Sequence, residues 1–357
     1  MADTAQDYPA AIAATAKPVS EKHGWLALAA GLGISLVIAV IAWELGALVP
    51  VVGAPIFAII IGVVLANTVG GASLNSRLRI NDISGYALRG GIIVLGLTLN
   101  LSDVLHTGLS SVALLAVTIS AGLAFALLVG KSLGVDWRIP CLIGIGTTIC
   151  GASAIAALAP VLRAKSEEIA YSISVIFLFN MLAVFIFPAI GHWIGLSDNG
   201  FGLWAGTAVN DTSAVVATGF AFSKAAGTYA TVVKLTRTTL IIPLVLGFGL
   251  ALPWIDPEHR PATGTDLMAR MRKVIPWFIG VFLLASLINT VGLVGGAAPH
   301  IQLAARFILV LALAAVGLQG YWRAFAGAGF RPLALGLGTW ATVAITSLIV
   351  QNWAGQL

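Results

Sequence analysis

Uninterrupted apolar runs of about twenty residues recur along this chain, and each is the length a helix needs to cross a bilayer. The stretch from Trp25 to about Ala47 carries a single charged residue, Glu44. Composition agrees with the runs: 59% of the 357 residues are hydrophobic and 9% charged, with a mean hydropathy of +1.00. One soluble core cannot hide that much apolar surface. Transmembrane β-strands would show ten-residue alternation instead of continuous runs, so the fold class expected is an all-α polytopic membrane protein.

The apolar runs, taken in order, give about 11 membrane segments: 25–47, 55–67, 85–101, 110–130, 139–162, 169–194, 203–222, 228–251, 275–294, 301–320 and 333–351. Residues 1–22 are polar and small, with Pro9, Pro18, Lys17 and Lys22, and read as a disordered cytoplasmic tail. Residues 23–353 form a single transmembrane domain. With the amino terminus inside, the basic loops at 77–79, 131–138, 256–273 and 323–331 all fall on the cytoplasmic side. Arg163 and Lys165 break that rule if segment 139–162 crosses fully. They obey it if segments 139–162 and 203–222 are re-entrant from opposite faces, and charge alone slightly favours re-entry.

Within those two segments lie two related dodecamers, Gly146–Ala157 and Gly206–Ala217. Aligned without a gap they share Gly146/Gly206, Thr147/Thr207, Ser153/Ser213, Ala154/Ala214 and Ala157/Ala217. Each sets Thr, Ser and a helix-loosening residue into apolar chain, and the second adds Asn210 and Asp211. Paired interrupted segments of this kind mark the binding site of secondary transporters. The bland alternative is close helix packing through small residues, which does not require Asn-Asp. A weaker echo pairs Pro55-Ile-Phe57 and Asn67-Thr-Val-Gly70 with Pro276-Trp-Phe278 and Asn289-Thr-Val-Gly292, and Gly96 and Gly108 with Gly317 and Gly329. In the topology above the matching spans start on opposite faces. Inverted halves of roughly 50–195 and 200–353 follow, with two broken or re-entrant helices crossing near the midplane.

Half-helices meeting at a break present amino-terminal N–H groups, which bind anions. The candidate substrate-binding residues are Thr147, Thr148, Cys150, Gly151, Ser153, Asn210, Thr212, Ser213, Lys234 and Arg237. The hydroxyls can donate to an oxyanion or satisfy loose backbone. Lys234 and Arg237 share one helix face at membrane depth, as a cationic wall for an anion or as partners that neutralise Asp211. Asp211 is the candidate coupling-ion site, with a structural ion pair to Arg237 as the alternative. Asn180 and Asn100 are candidate cavity polars. The five histidines show no ligand spacing, and Cys141 and Cys150 read as reduced thiols, so neither a metal site nor a cofactor is expected. No basic run with interleaved aromatics points to nucleic acid.

Ile149-Cys-Gly-Ala152, Lys234-Leu-Thr-Arg237, Ile275-Pro-Trp-Phe278 and Leu88-Arg-Gly-Gly-Ile-Ile93 together resemble the YeiH-type family of bacterial inner-membrane proteins, often labelled sulfate exporters. The resemblance covers nearly everything after the tail. It implies membership of the cation/proton antiporter and anion transporter superfamily, with inverted repeats and crossed broken helices. Some relatives resemble His-Glu where Asn210-Asp211 stands here; the acid is kept and the imidazole is not.

The function expected is secondary active transport of a small anion, sulfate, sulfonate or similar, across the bacterial inner membrane, coupled to H+ or Na+. Beyond that substrate and ion, the partner expected is the lipid bilayer, with homodimerisation left open. A cation/proton exchanger using Asp211 is the alternative. An anion channel and an intramembrane enzyme are lesser ones, and no HExxH or GxSxG motif supports an enzyme.

Overall fold

The structure, a computed structural model, describes residues 24–49, 53–70, 75, 77–255, 276–320 and 329–357. The expected tail at 1–22 and the polar loop at 256–273 lie outside the described residues. In chain order the helices are α1 (Gly24–Leu48), α2 (Gly53–Leu65), α3 (Ile80–Gly96), α4 (Leu101–Ser132), α5 (Arg138–Thr148), α6 (Ala152–Leu162) and α7 (Ser166–Trp193). They continue as α8 (Asp198–Ala208), α9 (Thr212–Phe222), α10 (Lys224–Thr239), α11 (Ile241–Ile255), α12 (Trp277–Thr290), α13 (Ala298–Gly317) and α14 (Phe330–Trp353). Among the described residues there is no strand. Among the described residues six stretches are long and apolar enough to cross a membrane: Trp25–Leu48, Leu101–Ser132, Ser166–Trp193, Lys224–Phe248, Gly295–Gly317 and Phe330–Trp353. The other expected segments are shorter helices or, at 139–162 and 203–222, pairs of half-helices.

The reason these sequences form helices is visible in their hydroxyls and outward faces. Ser35, Thr118 and Ser172 return their hydroxyls to the carbonyls of Gly31, Leu114 and Glu168, four residues back, so the helix satisfies its own polar atoms. Leu109 and Leu128 are each 72% exposed, as side chains facing hydrocarbon would be.

The chain divides into two compact units, Met1–Leu101 with Val281–Gly327, and Ser102–Gly280 with Ala328–Leu357. Each draws on both ends of the chain, so the units do not follow the sequence halves. In the first unit α13 packs along α3 and α2. Gly317 sits against the backbone of Ile59 and Gly62, while Gly96 sits against the carbonyl of Phe282 and the side chain of Ala285. The two glycines paired in the sequence echo thus each let another helix approach its backbone. Trp43 of α1 packs edge-on against Phe307 of α13, with ring centroids 5.7 Å apart.

In the second unit each dodecamer is the tip of a helical hairpin. Arg138, at the start of α5, donates from Nε to the carbonyl of Leu162, at the end of α6, at 3.1 Å. A straight rod over those residues would hold its ends roughly 36 Å apart. In the same way Phe201 near the start of α8 stacks on Phe222 at the end of α9, with centroids 3.9 Å apart. The hairpins attach to opposite ends of α7, a helix of 28 residues and about 42 Å. Segments 139–162 and 203–222 are therefore each a broken helix folded back as a hairpin, and the two tips approach each other. Arg163 and Lys165 return to the end of the unit that carries Arg138.

Candidate functional site

The two tips reverse by different local chemistry. Gly151 joins α5 to α6 at φ +68°, ψ −133°, a conformation essentially restricted to glycine. Space is not the constraint, since a Cβ there would meet Asp211 and Ile176 at an ordinary 3.5 Å. At the second tip Val209 and Asp211 are extended, and Asp211 caps α9. Its Oδ2 accepts from the Ser213 N–H at 2.9 Å and from the Ser213 hydroxyl. Asn180 of α7 fixes this tip: its Oδ1 accepts from the N–H of Asn210 at 3.2 Å and from that of Asp211 at 2.9 Å.

Lys234 and Arg237 of α10, 0% and 1% exposed, lie where the tips meet. Lys234 Nζ donates to the carbonyls of Ile149 (2.6 Å), Val209 (3.2 Å) and Asn210. Ile149 and Val209 are the aligned pair of the two dodecamers. Arg237 donates from Nε to Thr148, from Nη2 to Thr147, and from Nη1 to Val209 (2.9 Å) and Gly206 (3.3 Å). These are the carbonyls that end α5 and α8, groups with no intrahelical partner and a negative dipole end. Two buried cations thus join both tips through charge-assisted hydrogen bonds.

This geometry sorts the sequence-derived candidates. Thr147 and Thr148 enter through their carbonyls, and the Thr148 hydroxyl is returned to Gly144 at 2.8 Å. Cys150 and Asn210 are buried beside the tips, and Cys150 is a free thiol. Asp211 and Thr212 are half-buried; Ala152 and Ser153, the first turn of α6, are exposed. The ion pair between Asp211 and Arg237 does not form: among the described residues ion pairs occur at Arg79–Asp82 and Arg138–Asp136. Asn180 emerges as a tip-holding residue, and Asn100 lies outside this cluster at the start of α4. Sequence reasoning missed the carbonyls as the cations' partners, because every residue has a carbonyl and none is marked in the sequence.

Counted as charges, two amino-terminal and two carboxy-terminal helix ends, each roughly half an elementary charge, cancel. In formal charge, Lys234 and Arg237 outnumber Asp211 at the tips by one. The α6 amino terminus, whose N-cap is the side-chain-less Gly151, is the exposed positive end.

The chain matches, over residues 30–336, the family model described as conserved hypothetical protein 698. It is 40% identical over 334 residues to a UPF0324 membrane protein of Streptococcus agalactiae serotype V, covering 91% of this chain and 97% of the relative. A UPF0324 membrane protein of Streptococcus mutans is 40% identical over 340 residues, covering 91% and 97%. One of Clostridium tetani is 37% identical over 337 residues, covering 92% and 97%. No solved structure matches significantly. This multi-pass membrane chain therefore belongs to the conserved hypothetical protein 698 family of UPF0324 membrane proteins, the YeiH-type family.

Proposed function

We propose that the protein is a secondary active transporter that moves a small anion across the bacterial inner membrane, with its amino terminus in the cytoplasm. The observation that carries this reading is the meeting of two re-entrant tips at a buried Lys-Arg pair, beside an exposed helix amino terminus. The hairpins enter from opposite bilayer faces, and the eleven segments include them both. The duplicated dodecamers and the reciprocal Gly96 and Gly317 contacts support an inverted repeat, whose pseudo-symmetry axis would place the tips near the midplane.

In this reading Lys234 and Arg237 do not touch the anion. They hold the tips and supply the positive potential that makes an anion favourable at membrane depth. The anion binds at the first turn of α6, through the N–H groups of Ala152 and Ser153 and the Ser153 hydroxyl, with Thr212 and Ser213 across from it. Asp211 takes the coupling ion, H+ or Na+, and neutralising it strengthens the field on the anion. Sulfate, sulfite, sulfonates and small carboxylates fit that chemistry. A second reading, cation/proton exchange at Asp211, is favoured by its half-buried carboxylate.

Uptake into proteoliposomes tests the proposal. Saturable, counter-exchanged uptake of one of these anions, driven by a pH or Na+ gradient and uncoupled by Asp211→Asn, is expected. Flux that simply follows the membrane potential would make the protein a channel and overturn alternating access.

A further inference from the structure

A line of buried polar side chains runs along the inner face of α14 and is not used by the function proposed above. Trp340, Val343, Ser347 and Gln351 recur three or four residues apart, and all are buried. Gln351 Nε2 donates to Ser347 Oγ at 2.9 Å, and Ser347 Oγ lies 2.6 Å from Thr207 Oγ1 of α8. Thr207 Oγ1 in turn reaches the carbonyl of Leu203 at 2.8 Å, so donors can follow one direction from Gln351 to α8. Thr207 stands three residues before Asn210 at the second tip.

Two side chains of this line carry buried polar atoms that meet no protein partner, Gln351 Oε1 and Trp340 Nε1, and the α8–α9 hairpin carries more, Thr218 Oγ1 and both side-chain atoms of Asn210. Trp204, in the same aromatic layer, is the contrast, because its indole N–H donates to the Ala344 carbonyl at 3.0 Å. No side-chain atom of the α5–α6 hairpin is left in this condition. Leaving such atoms dry is costly, and buried polar groups of this kind ordinarily hold internal water. Gly200, at the start of α8, packs against Gln356 and Leu357, so the Gln351 end of the line is the end nearest the carboxyl terminus.

We infer that the seam between α14 and the α8–α9 hairpin is an internal water site that hydrates the second tip from Gln351 to Asn210. Water in the seam stands independently of the transport reading; its use as a proton route to Asp211 rests on that reading.

Hydroxyl-radical footprinting of the full chain in nanodiscs, with radicals generated from water by X-rays, reads the seam without any substrate. Trp340 is expected to be labelled severalfold faster than Trp204, and Ser347→Ala with Gln351→Met should bring its rate down to that of Trp204. Should the double variant fail to elute as a folded monodisperse species, Gln351→Met alone, which keeps Ser347 against Thr207, carries the same expected fall. Equal slow labelling of both tryptophans in the wild type, or an unchanged Trp340 rate in the variants, would overturn the water site. A labelled seam in a protein that transports no anion would instead count against the function proposed above.

Discussion

Asn180 accepts two N–H groups with one oxygen, so its side chain decides whether the second tip keeps its shape. Asn180→Leu, similar in volume, leaves the N–H groups of Asn210 and Asp211 without an acceptor in a buried site. A loss of about 1–3 kcal/mol per group is expected, read as a lower melting temperature in detergent. Asn180→Asp keeps the accepting oxygen and should lose less than Asn180→Leu; equal losses in the two variants would show that this oxygen is not what holds the tip. Asn180 was legible from sequence only as a polar residue in an apolar span. Lys234 and Arg237 were legible as buried and adjacent on one face, since their depth leaves no route to water. Their partners were not, because pairing with an acid is the usual expectation for a buried cation and Asp211 was the acid at hand. Asp211 instead caps its own helix, a role its position before Thr212-Ser213 does encode.

At the scale of elements, the hairpins rest on the return of each chain to the side it entered. Gly151 permits one reversal by its backbone, and the extended Val209–Asp211 stretch makes the other. The dodecamer repeat revealed both interruptions, because glycine, hydroxyls and Asn-Asp are conspicuous among apolar residues. It did not reveal the direction of the following half-helix, which is set by long-range contacts such as Arg138 to Leu162 and Phe201 to Phe222. Only the charge of Arg163 and Lys165 favoured re-entry. Single cysteines in a variant lacking Cys141 and Cys150 check the arrangement with a membrane-impermeant maleimide. Positions 136 and 165 should be labelled from one side and position 198 from the other. Labelling of 136 and 165 from opposite sides would make segment 139–162 a full crossing.

For the whole molecule, the composition and the apolar runs made a polytopic helical protein readable before any coordinates. The two compact units were not readable, since each is stitched from both ends of the chain and sequence proximity carries no trace of that. The unit holding both hairpins also holds Lys234, Arg237 and Asp211, so the proposed function puts substrate recognition and ion coupling in one body. Thermal stability of the purified protein, measured against sulfate, sulfite, sulfonates and carboxylates in Na+ and in K+ at two pH values, tests this most directly, because a ligand that binds only the folded state raises the melting temperature. At least one small anion is expected to give a concentration-dependent rise whose size depends on pH or Na+ in the wild type and loses that dependence in Asp211→Asn. No response to any anion, alongside a Na+ or pH response that Asp211→Asn abolishes, would contradict anion transport and leave a cation exchanger in its place.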